Sequence, residues 1–359
     1  MFQKTYCQII NTATIDTSEV HKGGKVLVGG YIDAYYAYDF SEPDNNLIPY
    51  YVSSNKHNTI SINLAYIDVK YSSEKLKARL VPAWGTYMNA NYANEEETMK
   101  NILEASVGIK VSKKRNIWIE GGVFGSPYTN ESAISKDHLM YTRSFAPEYV
   151  PYYLVGVKLS VPLSPKIQSC FYFLNGWQQI KDLNSQKSIG TQIEYRPNNQ
   201  LLINWNTYIG DERSETTPDF RMRYFSDVYV LFNPTEKFSA TACVYGGIQK
   251  KKAISGEEQS LKWWQVNLIG SYRFSSKMSV AGRIEYFHDG ESVQVVPITP
   301  LLGFKAYSSS LCLNIKAMQN ALFRLESKSF YAEDKVFLDK KQIPSSMKHL
   351  LVTNLTIWF

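Results

Sequence analysis

Apolar and polar residues alternate along most of the chain. In the stretch 26–40, one parity is apolar and ends in aromatic residues, whereas the other parity carries Gly, Tyr and Asp. The stretches 103–111, 264–274 and 351–359 repeat this pattern. A period of two places successive side chains on opposite faces of a β-strand. The pattern therefore predicts an all-β protein.

Sixteen candidate strands follow from these runs. They cover residues 25–40, 58–71, 75–88, 101–111, 116–124, 153–161, 167–176, 187–195, 200–210, 221–232, 237–247, 261–274, 278–287, 303–316, 320–329 and 350–359. Most are longer than the ~5–6 residues usual in globular proteins and match the ~9–11 residues with which a tilted strand crosses a bilayer. The sequence predicts a transmembrane antiparallel β-barrel of about 16 strands.

The predicted connections alternate between short and long. The short ones, such as 72–74 and 275–277, have the length of tight turns, and the long ones include 248–260 and 330–349. Outer-membrane barrels have short periplasmic turns and long extracellular loops, whereas a soluble sandwich has no reason to sort its loops in this way. The alternation favours the membrane barrel.

The composition agrees with strands rather than helices as the membrane-crossing elements. The chain contains 26 Tyr, 17 Phe and 7 Trp, but it lacks the run of about 18 apolar residues that a spanning helix needs. Aromatic rings of this kind collect at the two membrane interfaces of a barrel. The alternative is a soluble β core that packs the same rings inside.

Charge and cysteine content exclude several other classes. The net charge of +6 is small and spread along the chain, so nucleic acid is not an expected partner. The short basic run 250–252 is interpreted as a solvated loop tip. The four cysteines are far apart and without metal-ligand spacing, so we predict no metal site, no cofactor and no disulfide.

The two ends of the chain differ from each other. Residues 1–24 lack the apolar core of a signal peptide, and we interpret them as an N-terminal periplasmic segment before a barrel domain of residues 25–359. A removed or truncated signal peptide explains this start. The last strand ends on Phe359, which we expect to be the signal that the barrel-assembly machinery recognises.

Several short segments, taken in their order along the chain, resemble a known family. They are residues 30–36 (GYIDAYY), 121–125 (GGVFG), 141–144 (YTRS), 151–152 (PY), 283–287 (RIEYF) and 324–326 (RLE). They resemble the OmpL-like β-barrel porin family of Gram-negative outer membranes, over about residues 25–359. The resemblance implies an integral outer-membrane protein with a pore-forming role.

Strand parity predicts which charged side chains face the interior. The basic ones are Lys77, Arg79, Lys110, Lys158, Arg221, Arg223, Arg273, Arg283, Arg324 and Lys328. The acidic ones are Asp33, Glu104, Glu120, Glu194, Asp227, Glu285 and Glu326. This excess of basic groups predicts a mildly basic, pore-lining surface with a weak preference for anions. The alternative, compatible with the first, is that neighbouring charges pair and hold the wall together.

The longest predicted loop covers residues 125–152. It carries Asp137, His138, Tyr141, Arg143 and Glu148. A loop of that length in a compact protein is usually functional. It either folds inward as a constriction of the pore or lies exposed on the surface.

The predicted function is an outer-membrane porin through which small hydrophilic solutes or ions diffuse passively. The expected partners are outer-membrane lipid and lipopolysaccharide, the assembly machinery and the solutes, and analogy with other sixteen-stranded porins suggests a homotrimer. One alternative is a non-conducting structural or receptor barrel that its loops plug. Another is an outer-membrane hydrolase with a site beside His288 and Asp289, although no GxSxG or HExxH motif is present.

Overall fold

The chain forms a closed antiparallel β-barrel of sixteen strands in a computed structural model, which describes residues 24–301 and 303–359. Each strand pairs with its neighbours in sequence, and the first strand closes the barrel by pairing with the last. The predicted fold class and strand number are therefore confirmed. The segment 1–23, which makes up most of the predicted periplasmic segment, lies outside the described residues.

The barrel strands run the length of the chain in order. They are β1 (Lys25–Asp39), β2 (Ile60–Ser72), β3 (Leu76–Trp84), β4 (Ile102–Lys110), β5 (Trp118–Gly125), β6 (Tyr153–Ser164), β7 (Ile167–Leu174), β8 (Ser188–Asn198), β9 (Leu201–Asp211), β10 (Phe220–Phe232), β11 (Phe238–Lys252), β12 (Glu258–Arg273), β13 (Met278–Asp289), β14 (Phe304–Met318), β15 (Ala321–Ala332) and β18 (Met347–Trp358). Two short strands, β16 (Phe337–Leu338) and β17 (Pro344–Ser345), form a hairpin in the last loop.

Helical structure in the described residues is limited to four short segments. The α-helical turns are α1 (Thr86–Asn91) and α2 (Phe145–Glu148), and 3₁₀ turns cover Met99–Asn101 and Ser135–Asp137. Within the described ranges, none of the helices has the length and apolar character needed to cross a bilayer.

The strands bury their polar face and expose their apolar face. In β12, Val266 and Leu268 point outward and are 43% and 51% exposed, whereas Gln265 and Asn267 point inward and are at most 1% exposed. This is the reverse of a soluble sandwich. It fits a closed sheet in lipid, where the ladder satisfies the backbone and the outer side chains meet hydrocarbon.

The connections divide the barrel into two ends. We call the end with short connections, such as 165–166 and 319–320, the turn end, and the opposite end, with connections such as 40–59 and 126–152, the loop end.

One predicted long loop, 248–260, is wrong. Strand β11 continues to Lys252 and β12 begins at Glu258, so the connection is only the five residues 253–257. The polar residues stay in the ladder because the pairing continues, and the Lys250 ammonium lies 3.4 Å from a Glu258 carboxylate oxygen. The basic run therefore lies at the end of a strand, where its polarity made it look like a loop tip.

Candidate constriction and lumen

The loop between β5 and β6, residues 126–152, folds into the barrel, and we call it the inserted loop. Asp137, His138, Tyr141 and Arg143 are buried, and Glu148 is half-buried. A loop exposed outside the barrel would leave these groups in solvent. Here they lie against the inward side chains of the wall, so the inward arrangement is the one that the chain adopts.

Arg143 organises the inserted loop from within. Its Nε donates to the carbonyl of Ser132 at 2.7 Å, and its two terminal nitrogens donate to the carbonyls of Tyr141 and Ala133 at 2.5 Å each. Because these bonds reach both arms of the loop, Arg143 joins the arms together. Its guanidinium is fully buried and does not face a passing solute.

Two charged wall residues hold the middle of the inserted loop. The backbone N–H groups of Tyr141 and Thr142 donate to Glu326 Oε2 at 2.9 and 2.8 Å, and the Thr142 hydroxyl donates to Glu326 Oε1. Arg283 donates to the carbonyl oxygen of Thr142 at 2.6 Å and to its hydroxyl at 2.8 Å. Hydrogen bonds to ionised groups are stronger than neutral ones, so this is a firm attachment.

A second pair of charges extends the attachment. Glu285 accepts the N–H of Phe145 at 2.5 Å, and Lys328 donates to the carbonyl of Arg143 at 2.8 Å. Lys328 and Arg283 also lie 3.2 and 3.3 Å from Glu285. The charges of β13 and β15 therefore compensate one another and bind the loop, in place of the isolated cross-strand pairs that the sequence suggested.

Two further predicted carboxylates, Asp33 and Asp227, accept hydrogen bonds in the barrel interior. Asp33 accepts from the side-chain amides of Asn63 and Asn354, both at 3.1 Å. Asp227 accepts the N–H of Thr129 at 2.7 Å. Both carboxylates are at most 1% exposed. They lie on the inner face as parity predicted, but neither borders open lumen.

His138 lies in the middle of the inserted loop and is buried. Burial and nearby guanidinium groups hold the pKa of His138 well below its usual value. A neutral ring explains why its Nε2 accepts the N–H of Ser132 at 2.8 Å. Its carbonyl accepts a long bond from Arg324 at 3.4 Å. Burial also raises the pKa of the adjacent Asp137.

The wall on β2 to β4 carries charges that the inserted loop does not cover. Arg79 donates to Asp68 at 2.9 Å and to Glu104 at 2.6 Å, which joins three strands. The side chains of Arg79 and Glu104 are 18% and 15% exposed, whereas those of Arg283 and Glu326 are 0% exposed. The predicted interior charges therefore fall into a sealed group and a group that still reaches solvent.

A second set of paired charges lies beside the first, with the Lys77 side chain 13% exposed and the Glu120 and Lys158 side chains 9% exposed. Glu120 Oε2 is 2.9 Å from the Lys77 ammonium and 3.1 Å from the Lys158 ammonium. The Lys77 ammonium also lies 4.6 Å above the Trp118 ring. On β8, Arg196 lies 2.6 Å from Glu194. Each of these carboxylates pairs with a basic group of the wall, and its side chain points to the barrel interior.

Asp68, Lys70 and Arg196 are among the interior charges of the described residues that escaped prediction. In β2 the residue Asn63 is an unpaired bulge, and it moves the apolar residues to the other parity for the rest of the strand. That change of parity at residues 63–64 was the available signal. Arg196 was assigned to a turn, but β8 continues to Asn198.

Four predicted pore-lining residues lie away from the central lumen. Arg221, contrary to prediction, turns back to the carbonyls of residues 218 and 220 at the loop end, because its strand begins there. Lys110 and Arg273 are the last residues of β4 and β12 and lie at the turn-end rim. Arg223 is buried, with its guanidinium 4.9 Å from the Trp177 ring and 5.4 Å from the Trp263 ring.

The geometry does not assemble the suggested hydrolase site. His288 and Asp289 are neighbours on β13, so they point to opposite faces, and Asp289 is 0% exposed. The Asp289 carboxylate accepts three N–H groups from residues 293–295, which shapes a loop. Within the part of the chain that the structure describes, no group of three or more His, Cys, Asp or Glu could hold a metal. The described cysteines, Cys170, Cys243 and Cys312, are free and buried.

Glu148 links the inserted loop to the first external loop. Its Oε2 accepts the N–H of Val52 at 2.8 Å, and its Oε1 accepts the Tyr152 hydroxyl at 2.9 Å. Desolvation raises the pKa of Glu148 to about 7, against the opposing effect of these bonds and of Arg143 and Lys328. The carboxyl therefore titrates near neutral pH.

A family model covers almost the whole chain. The family described as "Putative beta-barrel porin-2, OmpL-like" matches residues 25–359. A comparison with curated proteins finds no match.

Solved porin structures share the fold at low sequence identity. The anion-selective porin from Comamonas acidovorans is 10% identical, with a TM-score of 0.60 and coverage of 94% of this chain and 100% of that one. The outer-membrane channel DcaP of Acinetobacter baumannii is 10% identical, with a TM-score of 0.63 and coverage of 95% and 99%. The trimer form of OmpT of Vibrio cholerae is 9% identical, with a TM-score of 0.60 and coverage of 94% and 99%.

Proposed function

The chain belongs to the OmpL-like β-barrel porin family, and on that premise we propose which part of its lumen conducts. It is an integral outer-membrane porin, and its family and fold are those of a channel. We infer that small hydrophilic solutes and ions diffuse passively between the inserted loop and the wall formed by β2 to β8, and that no reaction is catalysed.

The distribution of contacts around the inserted loop supports this route. The loop bonds to the wall on β9 to β15, through residues such as Asp227, Arg283 and Glu326, and it also bonds to Tyr31 of β1 and Thr356 of β18. Among the described residues, no hydrogen bond or ion pair joins it to Lys77, Glu120 or the other charges of β3 to β8. Those charges pair with each other instead and keep part of their exposure. We propose that the inserted loop occupies its own side of the lumen and that the charges of β2 to β8 line the passage that remains.

The charges of the proposed passage are unequal. Five are basic: Lys70, Lys77, Arg79, Lys158 and Arg196. Four are acidic: Asp68, Glu104, Glu120 and Glu194. A wall with excess positive charge concentrates anions in a narrow pore. We therefore propose a mild anion preference that comes from this side of the barrel, and not from the sealed charges of β13 and β15.

The observation that carries the proposal is the row of Lys77, Glu120 and Lys158, in which two ammonium groups share one carboxylate. The test is the reversal potential of the purified protein in a planar bilayer under a salt gradient. We expect anion preference in the natural protein and a shift toward cations in Lys77→Gln and Lys158→Gln. Lys262→Gln, an exposed outward position, is the matched control.

The opposite results would contradict the proposal. An unchanged reversal potential in both lysine variants would place the ion route elsewhere. A folded barrel without current steps would favour the alternative of a plugged, non-conducting barrel.

We also propose the remaining partners. The protein is embedded in outer-membrane lipid and lipopolysaccharide and is inserted by the barrel-assembly machinery, which recognises the strand that ends on Phe359. By analogy with the trimer form of the Vibrio cholerae protein, we propose a homotrimer. Cross-linking in intact outer membranes tests this, and a monomer alone would refute it.

A further inference from the structure

Four polar side chains form one row on the inner wall of β9 to β12. In the strand register Asn206 lies opposite Asp227, Asp227 opposite Tyr245, and Tyr245 opposite Gln265. Directly opposed residues have Cβ atoms about 4.5–5.5 Å apart. We call these four residues the polar row.

Each member of the polar row has an oxygen atom without a hydrogen-bond partner in the described part of the chain. The atoms are Asn206 Oδ1, Asp227 Oδ1, Tyr245 Oη and Gln265 Oε1. All four residues are at most 2% exposed. The amide orientations are fixed, because Asn206 Nδ2 donates to the Pro127 carbonyl at 2.9 Å and Gln265 Nε2 donates to the Cys243 carbonyl at 3.3 Å. The row therefore presents three acceptor oxygens that require donors and one tyrosine hydroxyl that can donate or accept.

Aromatic side chains border the polar row on its loop-end side. One register step away, Tyr208 lies opposite Phe225, and Trp263 lies opposite Gly247. The Trp263 ring lies over Gly247, where a Cβ atom would come within 2.1 Å of it. The Arg223 guanidinium caps the same ring. An apolar platform with a donor above it thus adjoins the row of acceptors.

Residues 127–130 of the inserted loop cover the polar row, and their backbone is strained. Thr129 donates its N–H to Asp227, but it has a φ of 63°, in the left-handed region that β-branched residues avoid. Asn206 and Asp227 each use one polar atom for the loop and leave the other unpaired. This segment combines a strained backbone with bonds to half-paired wall residues, and the Asn130 side chain adds bonds to Thr241 and Asn267 at 2.9 Å each.

We propose that the polar row is a binding site for a neutral polyhydroxylated solute, a sugar or a polyol, and that residues 127–130 cover it until the solute displaces them. Hydroxyl groups supply donors for the acceptors, and the C–H faces of such a molecule pack on aromatic rings. A cationic ligand fits less well, because Arg223 lies beside the row. The inference rests on the channel function proposed above, but not on the anion preference.

Sucrose is the probe for the first experiment. Sucrose is titrated into the purified full-length protein by calorimetry, and ion current is recorded in parallel in a planar bilayer. We expect saturable binding and a sucrose-dependent change of current. In Asn206→Ala combined with Gln265→Ala, two acceptors are lost and binding should weaken about tenfold. Asn314→Ala is the control. This inward amide lies on β14, away from the polar row, and bonds to the carbonyl of Leu139 in the inserted loop.

A second variant leaves the polar row intact. Thr129→Gly removes the backbone strain and stabilises the covering segment. Sucrose must then displace a more stable segment, so binding should weaken by about fivefold or more. If the polar row had a purely structural role and sucrose bound elsewhere, Thr129→Gly would leave sucrose binding unaffected.

The results that would overturn the proposed solute-binding site differ from those that would reject the channel function. Ion current with no saturable sucrose binding would mean that water alone satisfies the row, and the inference would fail while the porin proposal stands. Equal sucrose binding in the natural protein and the Asn206/Gln265 variant would also overturn it. Absence of ion current from the folded natural protein would reject the channel proposal.

Discussion

The ring of Phe359 lies directly against Gly30, at the seam where the last strand meets the first. The two residues exchange backbone hydrogen bonds of 3.0 and 3.1 Å. A Cβ atom at Gly30 would lie 2.3 Å from Phe359 Cζ, so a side chain there would collide with the ring. The terminal residue and this glycine therefore fix how the barrel closes.

We predict that Gly30→Val destabilises the closed barrel. The valine side chain must push the Phe359 ring aside, and overpacking of this kind costs about 1–3 kcal/mol. The expected result is a lower temperature for the heat-induced gel shift from folded to unfolded protein. Gly270→Ala is the matched control, because a Cβ atom there meets open space. Equal transition temperatures for the two variants would contradict a role of this contact at the seam.

Phe359→Ala should affect assembly more than stability. The ring is 76% exposed, so its removal takes little packing from the folded barrel. We expect much less protein in the outer membrane of cells but a near-normal yield on refolding in detergent. If both yields fall equally, the ring acts through stability and not through recognition by the assembly machinery.

We predict that Glu326→Gln loosens the inserted loop. The change replaces a charged acceptor of the Tyr141 and Thr142 N–H groups with a neutral one, and bonds to charged groups contribute about 1.5–3 kcal/mol each. Single-channel recordings should show larger and more frequent conductance fluctuations. Glu194→Gln, which alters only the accessible wall, should change selectivity without added fluctuation. If the conductance of the Glu326→Gln channel fluctuated no more than that of the natural protein, the loop would be held by other contacts.

Arg143→Lys should make the inserted loop sensitive to protease. A lysine ammonium cannot reach the three carbonyls of residues 132, 133 and 141 with the geometry of a guanidinium, and each unpaired buried carbonyl costs about 1–3 kcal/mol. Proteolysis of intact barrels checks this. Arg213→Lys is the control, since that side chain is half exposed and pairs only with Asp211. Resistance equal to that of the natural protein would contradict the proposed cross-link.

The conductance should depend on pH through Glu148. Because the folded-state pKa of about 7 lies above the ordinary value near 4.3, the folded loop holds the proton more tightly than the released loop does. Its contribution to loop stability is full below about pH 4.3 and is lost as the pH rises toward 7. We expect fluctuations to grow over this range and Glu148→Gln to abolish the growth. The charged and titratable groups that face the carboxyl include Arg143, Lys328, Tyr87, Tyr149 and Tyr152, none of which ordinarily titrates between about pH 4.3 and 7, so identical pH profiles in both proteins would contradict the prediction.

The strand pattern was readable from the sequence because a lipid-facing wall imposes a strict period of two. Residues such as Val266 and Leu268 must be apolar, and their neighbours Gln265 and Asn267 must be polar, whatever the remainder of the chain does. The family resemblance over residues 25–359 arose from the same local segments. Errors occurred where this rule weakens, as at the polar ends of β11 and β12 and at the bulge on Asn63.

Where the register was unbroken, parity gave the face of a charged residue but not its partner. Asp227 and Lys158 both point inward, yet the first is sealed by Thr129 of the inserted loop and the second faces the proposed passage. Nothing local distinguishes them, because the contact joins residues 98 positions apart. The direction in which the loop folds decides which charges remain in contact with solvent.

The sequence by itself determined the barrel, its strand number, its inverted faces and its family, because each depends on a local period that the bilayer enforces. Tertiary structure alone decided that residues 126–152 fold into the barrel, that Arg143 joins the two arms of the loop, and that Glu326 holds it. These features depend on buried hydrogen bonds between distant segments, and a buried polar group must be paired by whichever partner the closed fold brings near. The alternation of apolar and polar residues along the chain does not identify that partner.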